Sequence, residues 1–227
     1  MLESIPQLSV VVLCYRAGET IVPYITKMDE ELAAAGVAGY ELVLVANYHP
    51  GSADPTPDVV RRLAAANPRL TVVAEPKQGM MGWDLRRGLA AAHGDAIAII
   101  DGDGQMPSAD IVRLYRMFRG GEFDLAKTAR VVREDGLYRR LISKGYNLLF
   151  RLLFPGMVAR DINSKPKIIS RSAYERMHLT ADDWFADAEL MLEARRLRLR
   201  VGELPTVFRR NEWRSSFVKP WTILEFL

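Results

Sequence analysis

The apolar run AIAII, residues 96–100, stops abruptly at Asp101, Gly102, Asp103, Gly104 and Gln105. A buried strand has no use for adjacent carboxylates at its end, because an unpaired charge is costly to bury. Carboxylates at i and i+2 on a glycine-containing loop suit a hard divalent cation. Mg²⁺ or Mn²⁺ prefers oxygen ligands, keeps several waters and is commonly shared with substrate phosphates. Gln105 adds a neutral carbonyl oxygen, and the glycines let backbone and ligand approach closely. A surface turn can have the same composition. An EF-hand is excluded, since Met106, Pro107 and Ser108 stand where its later acidic positions belong.

The elements that deliver this loop decide between the two readings. LSVVVLCY (8–15), YELVLVA (40–46), LTVVAE (70–75) and AIAII (96–100) read as strands, the first buried on both faces. Between them lie helical stretches at about 20–35, at 56–68 and at 81–94. The second opens with Thr56 as N-cap, Pro57 at the first helical position and Asp58 in the first turn. Strands separated by helices of this length imply right-handed crossovers and a mainly parallel sheet flanked by helices. Ligands of open α/β sheets sit at the carboxyl ends of the strands, where Tyr15, Asn47, Glu75 and the Asp101–Asp103 pair emerge.

The chain has 227 residues, 49% hydrophobic and 26% charged, which argues for a folded α/β protein. A net charge of +3 suits an anionic partner without naming one. The single cysteine, Cys14, excludes an internal disulfide and multi-cysteine zinc sites. His49, His93 and His178 lack metal-ligand spacing. The N-terminal apolar run has no basic residues before it, and no stretch reaches the roughly 20 apolar residues of a membrane span. The expectation is a soluble or at most membrane-associated protein in a reducing compartment.

The second half changes character. FDLAKTARVV (123–132) reads as another strand, followed by a basic amphipathic segment over 137–156. There Tyr138, Leu141, Ile142, Leu148, Leu149 and Leu152 recur at helical spacing, with Arg139, Arg140, Lys144 and Arg151 among them. This is either a helix pair packed on the sheet or an interfacial helix on an anionic bilayer, and the interfacial reading is preferred. After RDINSKPKIIS (160–170) come a short helix, the acidic segment ADDWFADAEL (181–190), a basic helix over EARRLRLR (193–200) and the strand VGELPTVF (201–208).

The run VVVLCY, then GSADPTPDVV, then AEPKQGMMGWDLRRGLAAAHGDAIAIIDGDGQMP resembles glycosyltransferase family 2. Within it the nearest type is the dolichol- or polyprenyl-phosphate sugar synthase. The resemblance continues through DINSKPKIISR, WFADAELMLEARRLRLRVGELPTVFRR and WRSSFVKPWTILEFL. It implies an α/β, GT-A (Rossmann-like) fold in a single domain over 1–227. Residues 1–107 would bind the nucleotide sugar, and 108–227 would face the acceptor.

Carried over, the pattern gives Asp101, Asp103 and Gln105 the metal (Mg²⁺ or Mn²⁺) and, through it, the donor diphosphate. Tyr15 would line the nucleotide pocket with Asn47. Arg130 would stand near the donor phosphates, and one of the adjacent Arg209 and Arg210 at another such position, Arg210 being the residue assigned. The family's acceptor-side motif falls on Phe185, Asp187, Glu189 and Leu190, which makes Asp187 the candidate general base for a hydroxyl acceptor. An acceptor that is already an anion needs no base, and Asp187 would then orient groups or balance the metal site. The same acidic residues could also merely favour a helix N-terminus.

Three departures stand out. Asn47 occupies the usual position of a strand-end aspartate. Ala17 replaces an acid in the first turn. Ser164, Lys165, Pro166 and Lys167 replace the frequent S-G-F of the acceptor loop, and the two lysines would face an anionic acceptor or donor phosphate, or else solvent. The resemblance implies an inverting transferase that takes a nucleotide sugar and serves a lipid-phosphate or other membrane-associated acceptor at the cytoplasmic membrane face, with no nucleic-acid partner. The alternatives are a non-catalytic GT-A-like scaffold and a sugar nucleotidyltransferase. The latter would carry a glycine-rich signature where CYRAGETI stands.

Overall fold

The computed structural model describes residues 6–37 and 39–211. The terminal segment PWTILEFL, whose role the sequence leaves open, lies outside the described residues. Four apolar, largely β-branched runs form the parallel strands β1 (Leu8–Leu13), β2 (Tyr40–Val45), β3 (Leu70–Val73) and β4 (Ala96–Asp101). Each is followed by a helix: α1 (Ile21–Ala34), α2 (Thr56–Ala66), α3 (Met81–Ala91) and α4 (Ala109–Arg119). Alternation along the strands divides the core into two layers. Val10 and Val12 of β1 face α1 and α4, whereas Val11 and Leu13 face α3. Both faces are therefore covered, so these strands read as unbroken apolar runs.

The remaining elements are β5 (Leu125–Arg133), α5 (Leu137–Leu153), β6 (Lys167–Ser170), α6 (Arg171–Tyr174), α7 (Ala186–Arg196) and β7 (Val201–Phe208). The sheet has seven strands in the order β3-β2-β1-β4-β6-β5-β7. Only β6 is antiparallel, to β4 on one side and β5 on the other. It was not expected as a strand, because its four residues open on a lysine and close on a serine, leaving only Ile168 and Ile169 as an apolar signal. Pro205 is tolerated in β7 because that strand forms the sheet's edge.

Two boundaries differ from expectation. The helix foreseen over 137–156 ends at Leu153, two residues before Pro155, which cannot continue it. The basic helix foreseen over 193–200 is the tail of α7, which starts inside the acidic segment at Ala186 and stops at Arg196. Arg198 then takes φ 53°, turning the chain into β7.

Candidate active site

Strand order reverses between β1 and β4, and the crevice outside the carboxyl ends at such a point is where open α/β sheets bind ligands. Asp101 is the last residue of β4, in register with Leu13 of β1. The Gly102 N–H donates to the Leu13 carbonyl at 2.9 Å. A Cβ on Gly102 would lie 2.8 Å from Ile21 Cδ1 and 3.0 Å from that same carbonyl, so only glycine lets the loop seat this closely. Beyond it, Asp103 Oδ1 accepts from the Gln105 N–H at 3.0 Å. Gln105 Nε2 donates to the Arg209 carbonyl and the Arg209 N–H donates back to the Gln105 carbonyl, both at 2.9 Å. The acidic loop is thus tied to the chain leaving β7.

Because β6 runs against β4, its start arrives where β4 ends, with Lys167 opposite Ile99. Lys165, two residues earlier, reaches the acidic loop. Its Nζ donates to Asp101 Oδ1 at 3.0 Å and pairs with Asp187 Oδ2 at 2.8 Å. The other oxygen of Asp187 accepts from Lys167 Nζ. The side chains of Lys165, Lys167 and Asp187 are 4%, 1% and 6% exposed, which removes the solvent-facing reading of the two lysines.

Charge balance governs this cluster. Burial works against the Asp187 carboxylate, but Lys165 and Lys167 override it and hold its pKa down at about 2. Burial also opposes the charge on Lys165, and here Asp101 and Asp187 prevail, raising its pKa. Lys167 has one carboxylate against burial, Lys127 and Lys165, so its pKa falls to about 8.

A second buried network lies alongside. Lys127, fully enclosed in β5, donates to the carbonyls of Thr128 (2.7 Å) and Asp161 and to Glu203 Oε1 (3.2 Å). Arg130 forks onto both oxygens of Asp161 at 2.7 Å, and Asp161 is held well below the usual carboxylate range against its own burial. Arg130 is therefore already engaged at the end of β5. Arg210 is exposed just past β7.

Just past β2, Asn47 is fully buried and both ends of its amide are used. Nδ2 donates to Asp84 at 2.9 Å, and Oδ1 accepts from the Glu75 N–H at 2.9 Å. Asp84 also accepts from Lys77, whose ammonium lies 4.5 Å above the centre of the Tyr15 ring. Burial raises the Asp84 pKa despite these donors. Tyr15 is half-buried, and its ring stands nearly perpendicular to that of His49, with centroids 6.1 Å apart.

The acidic segment is pinned by α3. The N–H groups at that helix's start, which lack partners within the helix, donate to carbonyls of the segment: Met80 to Asp182 at 2.6 Å, Gly82 to Asp183 at 2.9 Å and Trp83 to Asp182 at 3.2 Å. A Cβ on Gly82 would sit 2.4 Å from the Ala181 oxygen, so glycine is required there too.

Asp101, Asp103, Gln105 and Asp187 thus share one end of the sheet, with Tyr15 and Asn47 at the neighbouring strand exits. Sequence reasoning assigned no role to Lys127, Asp161, Lys77 or Asp84. The available signal was a lysine amid the apolar FDLAKTARVV, since a charged residue in such a run needs a buried partner. Among the described residues, no three His, Cys, Asp or Glu side chains cluster as a metal site. Two carboxylates and an amide oxygen nonetheless fit an ion that takes few protein ligands and completes its shell from phosphate and water. Asp101, with its side chain 37% exposed, remains accessible.

The model of the family described as Glycosyl transferase family 2 matches residues 9–185. The chain belongs to this family. Glycosyltransferase AglD of Haloferax volcanii is 31% identical over 205 residues, 88% of this chain and 32% of that protein. An undecaprenyl-phosphate 4-deoxy-4-formamido-L-arabinose transferase of Pectobacterium carotovorum is 30% identical over 155 residues, 66% of this chain and 45% of that protein. The chain thus spans about a third to a half of the length of these family 2 relatives. In structure it resembles glucosyl-3-phosphoglycerate synthase from Mycobacterium tuberculosis, solved with Mn²⁺, UDP and glucosyl-3-phosphoglycerate. The TM-score is 0.69 at 21% identity, covering 92% of this chain and 73% of that one. The expected GT-A fold, with its mostly parallel sheet, is the one observed.

Proposed function

We propose that this chain carries a glycosyltransferase site that moves a sugar from a nucleoside diphosphate donor, with inversion, to a lipid-phosphate or other membrane-associated acceptor. The observation that carries this reading is the Asp101–Asp103 loop at the sheet's switch point, bridged by Lys165 to Asp187. The relatives' activities, sugar transfer and use of undecaprenyl phosphate among them, support it.

The donor half is 1–107 and the acceptor half 108–227, in one GT-A unit. Tyr15 walls the nucleotide pocket. Asn47 acts there through Asp84 and the Glu75 backbone, because it is fully buried and both ends of its amide are engaged. Asp101, Asp103 and Gln105 hold a divalent ion, Mg²⁺ or Mn²⁺, which when bound neutralises charge on the departing diphosphate. Arg210 contributes positive charge from the β7 exit. Arg130 reaches phosphate only by leaving Asp161, so its first role is to position that end of β5.

Asp187 enters as an anchor for Lys165 and Lys167 rather than as a base. Both its oxygens already accept from ammonium groups, and a base must lie within roughly 2.6–3.2 Å of the proton it takes. An acceptor phosphate attacks as an anion and needs no base.

The surface of α5 supports a peripheral site at the cytoplasmic face of a membrane. Only Asn147 and Phe150 of that helix are buried, whereas Leu141 and Leu152 are 68% and 69% exposed. Arginines interleave with these leucines, the pattern of a helix lying in a bilayer interface. Among the described residues, no helix is long and apolar enough to cross a membrane.

A thermal-shift screen of UDP- and GDP-sugars with and without Mn²⁺ tests the reading. At about 100 times its dissociation constant, the right donor stabilises by about 2.7 kcal/mol, a shift of roughly 5–10 °C for a chain of this length. A shift that requires the metal is expected. No shift with any donor would favour a non-catalytic scaffold.

A further inference from the structure

The acidic loop already holds a cation of the protein's own. Lys165 Nζ lies 3.0 Å from Asp101 and 2.8 Å from Asp187, and its side chain is 4% exposed. It cannot swing to solvent without abandoning two carboxylates, one of them buried.

The contacts sum simply. Asp101 and Asp187 carry two negative charges, and Lys165 and Lys167 carry two positive ones. Asp161 engages Arg130, and Glu203 engages Lys127, so the neighbouring network offers no spare anion. A divalent ion arriving alone at Asp101 shares a carboxylate with a resident ammonium in a partly enclosed site, where like charges repel strongly. Asp103 brings at most one further negative charge against the ion's two positive ones. A nucleoside diphosphate brings the missing negative charge.

We propose that Lys165 is a positioning residue that acts as the resident counter-cation of Asp101. It holds the carboxylate in place before the donor arrives and weakens binding of a divalent ion on its own. Ion and nucleoside diphosphate therefore load as a mutually dependent pair. This rests on the donor reading given above and adds the coupling between the two ligands. By linkage, the nucleotide must raise the ion's affinity by the factor by which the ion raises the nucleotide's.

Calorimetric titration of the full chain with Mn²⁺ alone, with UDP or GDP alone, and with both together tests the coupling. In Lys165→Met, Mn²⁺ alone should bind at least about tenfold tighter than to the unsubstituted protein, by the size of effect that a like charge at this range exerts. The mutual enhancement between Mn²⁺ and nucleotide should shrink to match. Lys165→Arg keeps the charge and should retain weak binding of the lone ion. A lysine with only a structural role would, on removal, leave metal affinity unchanged or lower it, and either result overturns the proposal. Lys165→Gln, whose amide can still donate to Asp101, repeats the test should the methionine variant melt early. If the unsubstituted protein binds no nucleotide even with Mn²⁺, the donor reading itself fails and the coupling with it. If it binds the pair but neither neutral variant gains affinity for Mn²⁺, only the role of Lys165 fails.

Discussion

Lys127 and Lys167 are cross-strand partners in β5 and β6, and both are enclosed by the fold. Like charges placed opposite each other destabilise a sheet. Here they are tolerated because Lys127 turns to Glu203 and two carbonyls, and Lys167 turns to Asp187. The pair produces a pH dependence of definite sign. Burial, with Lys127 and Lys165 nearby, lowers Lys167 to about 8, against about 10.4 in an unfolded chain. Between those values the unfolded chain binds the extra proton, so stability rises with pH, by up to about 1.4 kcal/mol per pH unit. Below pH 8 the full cost of the buried charge is present. Urea unfolding at pH 8 and 9.5 should show this rise, and Lys167→Met should flatten it. A midpoint that falls over this window in the unsubstituted protein would refute the assignment.

Replacing Asp187 by Asn leaves the buried Lys167 ammonium without its carboxylate and Lys165 with Asp101 alone. Removing one partner of such a group costs about 3–5 kcal/mol, readable in the urea midpoint. Sugar transfer should drop further than donor binding does. If Asp187 is an anchor, residual transfer keeps the pH profile of the unsubstituted protein. Loss of an acidic limb from that profile would restore it as a base.

Asp103→Ala leaves the core intact, because the residue stands on the loop after β4. Metal-dependent nucleotide binding should weaken by at least about tenfold, or about 1.4 kcal/mol. Calorimetry with Mn²⁺ present and absent measures it. Unchanged affinity would remove Asp103 from the site.

Gly82→Ala brings a methyl group against the oxygens of Ala181 and Asp183. The acidic segment must then shift away from α3, at a cost of about 1–3 kcal/mol in overpacking. Since that segment leads into Asp187, transfer should fall along with the melting temperature. A variant with normal stability and activity would show that the contact carries no strain.

Changing both Leu141 and Leu152 to Asp tests the face of α5. Both are solvent-exposed, so stability should move by no more than about 0.5 kcal/mol. Flotation with vesicles containing anionic lipid should decline sharply. Absence of flotation by the unsubstituted protein would end the interfacial reading.

Much of this protein was legible along the chain. The four parallel strands announce themselves as apolar runs because helices cover both their faces. The carboxylates of Asp101 and Asp103 stand out because a strand's end is where such residues first meet solvent and ligand. Even β7 was marked to the residue, its proline consistent with an edge.

What lies between β4 and β5 was decided only in three dimensions. β6 offers only two apolar residues as a signal, yet its antiparallel entry brings Lys165 to Asp101 from 64 positions away in sequence and Lys167 to Asp187. The same is true of Asp187, which reads as a candidate base or a helix-terminal charge until two lysines close on its oxygens. Local sequence determines which segments can be strands or helices, through periodicity and turn chemistry. Pairings between distant charges depend on strand order and direction, and those are settled by burial of the whole sheet.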